Sequence, residues 1–362
     1  MSSNFGERVK ISVFGQSHSD AIGVMIDGLP AGEYIDLEKV QAFLQRRAPG
    51  QNAYSTTRKE TDMPKVVSGL WQDRTCGAPI CAMIENTNTR SKDYSNLRKM
   101  PRPGHADYTA FVKYKGFQDY RGGGHFSGRL TAPLCFAGAV CMQILERKGI
   151  IIGAHIAAIK HCKDNAWDMV HITKEELKTV IEKHFPTIDD KAGETMQKMI
   201  AQAKAEQNSV GGVVEVIALG LPVGLGEPMF DGLESKIASL LYAIPAVKGV
   251  EFGAGFAAAE MMGSENNDDF YYDIDGSIKT KTNNHGGSLG GISSGMPLVV
   301  RVAFKPTPSI SQEQQTISWE TKQNETLRIV GRHDPCIVPR AVPCVEAAIA
   351  IALLDLDMLQ YK

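Results

Sequence analysis

The sequence predicts an α+β fold, one domain of 362 residues with long glycine-rich loops. Three observations predict it. Hydrophobic residues make up 43% and charged residues 22%, the balance of a globular chain rather than a disordered or coiled-coil one. Helical and strand segments follow one another with no fixed-period repeat and no low-complexity linker, so one domain is simpler than the two or three that length alone suggests. The 35 glycines require many loops.

The elements follow in order. Residues 36–47 read as a helix, because Asp36 can cap it and Leu37, Val40, Phe43 and Leu44 share one face. Residues 65–87 read as a strand pair turning near Thr75-Cys76-Gly77. Residues 86–119 are polar and rich in Arg, Tyr, Pro and Gly, which predicts a long functional loop. Residues 130–147 are apolar almost all round and stop at Gly149, so that helix should be buried on most sides. Thr173 and Glu176 form a capping-box pattern ahead of Leu177, Val180, Ile181 and Phe185. An amphipathic helix is expected over 194–207, a strand over 212–219 and a helix over 232–242. The Asp- and Asn-rich stretch 264–287 predicts a mobile excursion. A strand over 297–304 and a long apolar helix over 339–359, with proline near its start, complete the chain.

Lys and Arg total 39 against 41 Asp and Glu, a net charge of −2. Such a chain makes no overall electrostatic claim on nucleic acid or an anionic membrane. The most apolar stretches, 131–145 and 347–354, fall short of the roughly 18 uncharged residues of a span. The N-terminus has no apolar core followed by a cleavage site. The seven cysteines include no C-x-x-C, and Cys135 and Cys141 lie in an apolar helical pattern, as buried thiols do. A cytoplasmic protein is expected.

Candidate chemistry begins with the arginines. None lies between Arg147 and Arg301, while lysines continue through that interval. Arginine offers a planar fork for carboxylate and phosphate. Five of the nine histidines, His18, His105, His125, His285 and His333, sit in glycine- or arginine-rich contexts. Together they suggest a polar pocket that moves protons. No H-E-x-x-H or zinc-type spacing and no phosphate-binding G-x-x-x-x-G-K-[ST] occurs, and neither Ser17 nor Ser127 sits in a G-x-S-x-G. The glycine runs at 122–124 and 286–291 each suit a tight turn or a close backbone approach to a ligand. Arg129, and Arg332 with Arg340, stand near predicted helix starts, where anions bind. The residues thus point to a small phosphorylated and carboxylated ligand, with histidines for proton transfer.

Six segments complete a recognisable set: FGQSHSDAIGVMIDGLPAG at 14–32, RRAPGQ at 46–51, RPGHADY at 102–108, DYRGGGHFSGRLTA at 119–132, NNHGGSLGGISSG at 283–295 and GRHDPCIVPRAVPCVEA at 331–347. With KPTPSI at 305–310 they resemble the chorismate synthase family, in the family's order. The weakest coverage is 150–207. The resemblance implies a β-α-β sandwich with helices between antiparallel sheets, and a homotetramer. It implies a lyase of the shikimate pathway that takes 5-enolpyruvylshikimate 3-phosphate to chorismate by 1,4-anti elimination, with reduced FMN. Whether the chain would reduce its own flavin with NADPH stays open.

Carried over position by position, the resemblance implies that His18 protonates the departing phosphate. It implies that His105 stabilises reduced flavin and that Asp334 assists proton transfer there. Arg47, Arg129 and Arg340 would hold the substrate. The flavin would be held by His125, Phe126, Ser127, Ala246, Gly290, Lys305, Pro306, Thr307, Pro308, Ser309 and Arg332. No metal is implied. This chain departs from the family pattern at Gln16 and Ser19 in the first motif, at Ala53, and at His125, Phe126 and Leu130 in the glycine loop. The altered loop admits a second reading, a paralogue that binds flavin or a phosphorylated ligand without turnover. A third, an unrelated phosphate-handling enzyme, lacks any motif of its own.

Overall fold

The computed structural model describes residues 3–50, 60–87, 98–329 and 333–360. Two five-stranded antiparallel sheets enclose a layer of helices, as the resemblance implies. The first sheet runs Asn4–Phe5, Lys10–Gly15, Ala21–Asp27, Ile80–Glu85, Pro64–Ser68 across its width. The second runs Val247–Phe252, Leu298–Phe304, Gly212–Leu219, Ile151–Ile159, Cys162–Lys163. Between them lie Leu37–Arg47, the central helix Thr131–Arg147 and the C-terminal helix Val338–Gln360.

The layering follows from hydrophobicity. The central helix buries nearly every residue, packing against the first sheet on one side and the C-terminal helix on the other. Gly138 is required there: a Cβ would sit 2.3 Å from the Cα of Ala347, so the two helices touch backbone to backbone. By length and hydropathy Gly128–Arg147 would qualify as a membrane span, a length the sequence reading underestimated. The protein interior covers 83% of that window, so its apolar character is accounted for by the core. The C-terminal helix is equally buried, yet it carries three acids that burial would penalise. Each has partners. Asp355 accepts from the backbone N–H groups of Glu7, Arg8 and Val9, Glu346 receives the Arg46 fork (2.6 and 2.9 Å), and Asp357 pairs with Lys148.

Most predicted elements appear within a few residues. Asp36 caps Leu37–Arg47, and the Thr173–Glu176 capping box opens Lys174–Ile181. Five points differ. The strand pair expected over 65–87 is interrupted by a small hairpin, Leu70–Trp71 with Arg74–Thr75, turning at Gln72 and Asp73 rather than at Cys76. The loop expected over 86–119 contains the helix Asp107–Lys113, and its residues 88–97 lie outside the described ones. The helix expected from 194 begins at Asp190, because Asp189 caps it. Phe185 lies beyond the end of its helix, Ile181, and packs into the core.

The fifth concerns 264–287, where a mobile excursion was expected. It forms a short helix, Gly263–Asn266, and the hairpin Phe270–Tyr272 with Ile278–Thr280. Asp268 ties it down by accepting from the Thr282 hydroxyl, the Asn284 and His285 backbone N–H groups and the His285 ring. His285 is thereby a structural residue. Strands that went unread in the sequence include Lys10–Gly15, Ala21–Asp27, Ile151–Ile159, Val247–Phe252 and both strands of a separate hairpin, Glu313–Ser318 with Gln323–Arg328.

Candidate active site

A cavity of about 800 Å³ opens where the helix layer meets the loops joining the two sheets, within the range of small-molecule and cofactor sites. Six cationic side chains line it, Arg47, Arg102, Arg129, Lys248, Lys305 and Arg340, against two carboxylates, Glu60 and Asp334. A chain of net charge −2 has therefore gathered a cationic pocket. His105, His125, Phe126, Ser127, Ala246, Thr307, Pro308 and Ser309 also line it.

Arg47 and Arg129 are held by one buried carboxylate. Asp62 sits between them, accepting from Arg47 Nη1 at 2.6 Å and pairing with Arg129 Nη1. Burial works to raise the Asp62 pKa, and the two guanidinium groups overcome it, so its pKa lies below the usual carboxylate value. Arg47 is fixed further by Nε to the Thr131 hydroxyl (3.0 Å) and Nη2 to the Gly128 carbonyl (3.2 Å). Arg129 also meets Glu60 at 3.2 Å and donates Nε to Asn86 at 3.0 Å. Its Nη2, although buried, has no partner among the described residues. An orphaned guanidinium donor in a cavity wall is a site for an anion.

His105 is held by its own motif. Arg102 clamps Asp107 with Nε and Nη2 (2.7 and 2.8 Å), and Asp107 meets His105 Nδ1 at 2.7 Å. Arg102 also donates to Ser309 at 3.2 Å, and Lys305 Nζ donates to the Gly104 carbonyl. The segments 102–108 and 305–309, 200 residues apart in sequence, thus form one wall. Burial is the largest influence on the His105 imidazole and lowers its pKa. The hydrogen bond to Asp107 opposes burial, Arg102 and Lys305 reinforce it, and the net shift is downward.

The glycine run explains itself at this point. Gly122, Gly123 and Gly124 all have positive φ (57°, 85° and 55°), a region that favours glycine. A Cβ on Gly122 would lie 2.4 Å from His18 Cε1, and one on Gly123 would lie 3.0 Å from His105 Nε2. The missing side chains are the space that the two histidines occupy.

The remaining candidates are placed less uniformly. His18 is buried behind Gly122 and does not line the cavity, but its Nδ1 is 3.2 Å from the Ser17 hydroxyl, which does. His125 lines the cavity. Its ring bridges the Ser3 hydroxyl and the Gly15 carbonyl, both at 2.8 Å. Asp334 pairs with Arg340, whose Nε donates to the Arg47 carbonyl at 2.9 Å. Ala246 takes the left-handed conformation at φ 77°, and its carbonyl accepts from Lys305 N at 3.0 Å. Strain of this kind persists where surrounding structure enforces it, often at functional sites.

Two flavin candidates fall elsewhere. Gly290 is exposed in the hairpin of Ser288–Leu289 with Ile292–Ser293, and Pro306 turns away to pack on Gly211. Neither lines the cavity within one chain. Arg332 and Ala53 lie outside the described residues. Sequence reasoning missed Glu60, Asp62 and Asn86, whose only signal is a pair of carboxylates two apart. It also left Arg102, Asp107 and Ser17 without roles.

Comparisons with known proteins identify the family. The family profile described as chorismate synthase matches residues 9–358. A chorismate synthase of Dehalococcoides mccartyi is 48% identical over 99% of this chain and 97% of its own length. One from Thermococcus kodakarensis is 46% identical over 97% of this chain and 96% of its own. A crystal structure of a chorismate synthase superposes with a TM-score of 0.76 at 28% identity, covering 98% of this chain and 93% of that one. The chain that builds this cationic cavity belongs to the chorismate synthase family.

Proposed function

We propose that this chain is a carbon–oxygen lyase of aromatic amino acid biosynthesis. It eliminates phosphate from 5-enolpyruvylshikimate 3-phosphate in a 1,4-anti sense, giving chorismate, with reduced FMN, as a cytoplasmic homotetramer. The observation that carries the reading is the convergence of His105, Lys305 and the orphaned Nη2 of Arg129 on one cationic cavity.

The residues suit the cofactor as well as the substrate. Phe126, Pro245 and Ala246 give one part of the cavity apolar surface, while Lys305, Thr307 and Ser309 offer donors for a phosphate tail. Bound there, reduced FMN would supply an electron-rich ring able to donate electron density to the allylic system and a basic site for the ring proton. The chain's own residues do the rest. Arg47, Arg129 and Arg340 neutralise phosphate and carboxylates, which makes phosphate a better leaving group. His18 delivers its proton through the Ser17 hydroxyl, which stands between it and the cavity. His105 presents Nε2 toward Gly123 while Asp107 holds Nδ1, so an anion arriving there meets an oriented ring. Arg340 keeps the Asp334 carboxylate directed at the same space.

The test is an anaerobic assay with chemically reduced FMN, following chorismate and phosphate together. Equal release of both is expected. Flavin binding without product would establish the non-catalytic paralogue instead. Phosphate release from simple phosphomonoesters without flavin would establish an unrelated hydrolase. Replacing reduced FMN by oxidised FMN and NADPH tells whether the chain reduces its own flavin.

A further inference from the structure

Two thiols stand together at the floor of the cavity. Cys344 of the C-terminal helix lines it, and Cys135 of the central helix lies behind, with the two Sγ atoms 3.7 Å apart. Neither is in a disulfide. Their helices touch one turn further on, where Gly138 meets Ala347, so the backbones bearing the two thiols are already close. Arg47 and Arg340 line the same part of the cavity. We propose that Cys344 and Cys135 form a peroxide-reactive pair, with Cys344 as the attacking thiol reached through the cavity and Cys135 as the resolving thiol.

The chemistry balances. The Cys344 thiolate attacks one oxygen of hydrogen peroxide, the O–O bond breaks, hydroxide leaves, and Cys344 becomes a sulfenic acid. Cys135 gives its proton to the hydroxide released in the first step, forming water; its thiolate attacks the Cys344 sulfur, an S–S bond forms, and hydroxide leaves. Two thiols lose two electrons, and peroxide gains them. The sulfur atoms must close from 3.7 Å to about 2 Å, a movement of side-chain torsions with a small helix adjustment.

Cys344 also differs electrostatically from the other buried thiols. The hydrogen bond from Cys135 lowers its pKa, burial opposes this, and Arg47, the Thr131 hydroxyl and Arg340 assist. Burial instead pushes Cys336 up to about 12, and Cys141 higher still. A thiolate reacts and a thiol does not, so Cys344 is set apart from thiols equally hidden from bulk water.

The experiment treats the full chain, without flavin or substrate, with hydrogen peroxide and maps every cysteine by mass spectrometry. A Cys135–Cys344 cross-linked peptide, lighter by two hydrogens and reversed by dithiothreitol, is expected. Cys344 should lose its thiol at least about tenfold faster than Cys141. In Cys135→Ser the sulfenic acid should persist and take a dimedone label at Cys344. In Cys344→Ser, Cys135 should stay reduced. Oxidation of the exposed Cys76 while Cys135 and Cys344 keep their thiols would overturn the proposal. So would oxidation of Cys344 to sulfinic acid in the wild-type chain with no bond to Cys135. The wild-type map needs no substitution, and no outcome depends on enzymatic activity.

Discussion

His105 and His155 are both buried histidines beside carboxylates, and they are opposites. His105 meets Asp107 and faces Arg102 and Lys305 at the cavity. His155 lies in the second sheet, fully buried, with Nδ1 2.9 Å from Asp164, Nε2 3.2 Å from Glu215 and its ring against Trp167. Burial would lower both pKa values. At His155 two carboxylates outweigh it and the pKa is raised, whereas at His105 one carboxylate does not and the pKa is lowered. Both nitrogens of His155 are occupied, so the ring can brace strands but cannot exchange a proton with a ligand. His105 keeps an edge toward the cavity, and neighbouring cations hold its second proton loosely. The two rings differ in their neighbours: carboxylates hold both nitrogens of His155, whereas His105 has one carboxylate, the Arg102 guanidinium 3.3 Å from its Nε2, and a place in the cavity wall.

The largest expected effect breaks the functional half of that contrast. His105→Ala should lower kcat by about 10²–10⁴-fold while leaving the substrate KM little changed. Wild-type turnover would remove His105 from the mechanism. Asp107→Asn should cost less activity and should move the pH profile, because the ring loses the carboxylate that holds Nδ1. The equivalent change on the other side, His155→Gln, should alter stability and spare kcat.

Next comes the arginine pair. Arg129→Ala removes the orphaned donor and leaves Asp62 to Arg47 alone. The apparent substrate constant should rise by roughly 30- to 1000-fold, about 2–4 kcal/mol. Arg129→Lys should recover only part, since an ammonium cannot serve Asp62, Asn86 and an anion as a fork does. An unchanged constant in Arg129→Ala would count against the clamp.

Two glycines sharpen the comparison at smaller scale. Gly122→Ala would drive a methyl group into His18 from a left-handed backbone, so about a tenfold loss in kcat is expected, on the scale of 1–2 kcal/mol of strain. Gly138→Ala forces apart two helix backbones far from any proton transfer. It should destabilise the fold by about 1–3 kcal/mol in urea unfolding with kcat retained. If Gly122→Ala loses stability instead and keeps its kcat, the spacing role of the glycine loop is wrong.

Legibility in the sequence divides along the same line. Helices were readable where a cap and a 3.6-residue pattern coincide, as at Asp36 and at Thr173 with Glu176. Strands buried on both faces were not. Ile151–Ile159 is almost uniformly buried, so it shows no alternation. Of the expected site residues, His105, Arg47, Arg129 and Arg340 sit in specific strings and line the cavity. Asp62 and Glu60 were not, because a carboxylate pair in a polar stretch looks solvated. Only the fold, by bringing Asp62 between two guanidinium groups, gives it a task. Gly290 is the converse: its motif matches the family, but within one chain its hairpin stands away from the cavity.

The smallest effect is a slope in pH. His155 has a folded pKa above its unfolded value of about 6.5. Its contribution to stability is therefore fully present below about pH 6.5 and is lost as pH rises through the folded value. His105 has a depressed folded pKa, so its contribution is present above about pH 6.5 and is lost as pH falls through its folded value. Urea unfolding of the wild type, His155→Gln and His105→Gln between pH 5 and 8 separates them. Relative to wild type, His155→Gln should be most destabilised at the acid end, and the deficit should shrink toward pH 8. His105→Gln should show the reverse trend. Parallel curves for all three proteins would mean that neither ring changes its proton affinity on folding, and the contrast between the two sites would then rest on geometry alone.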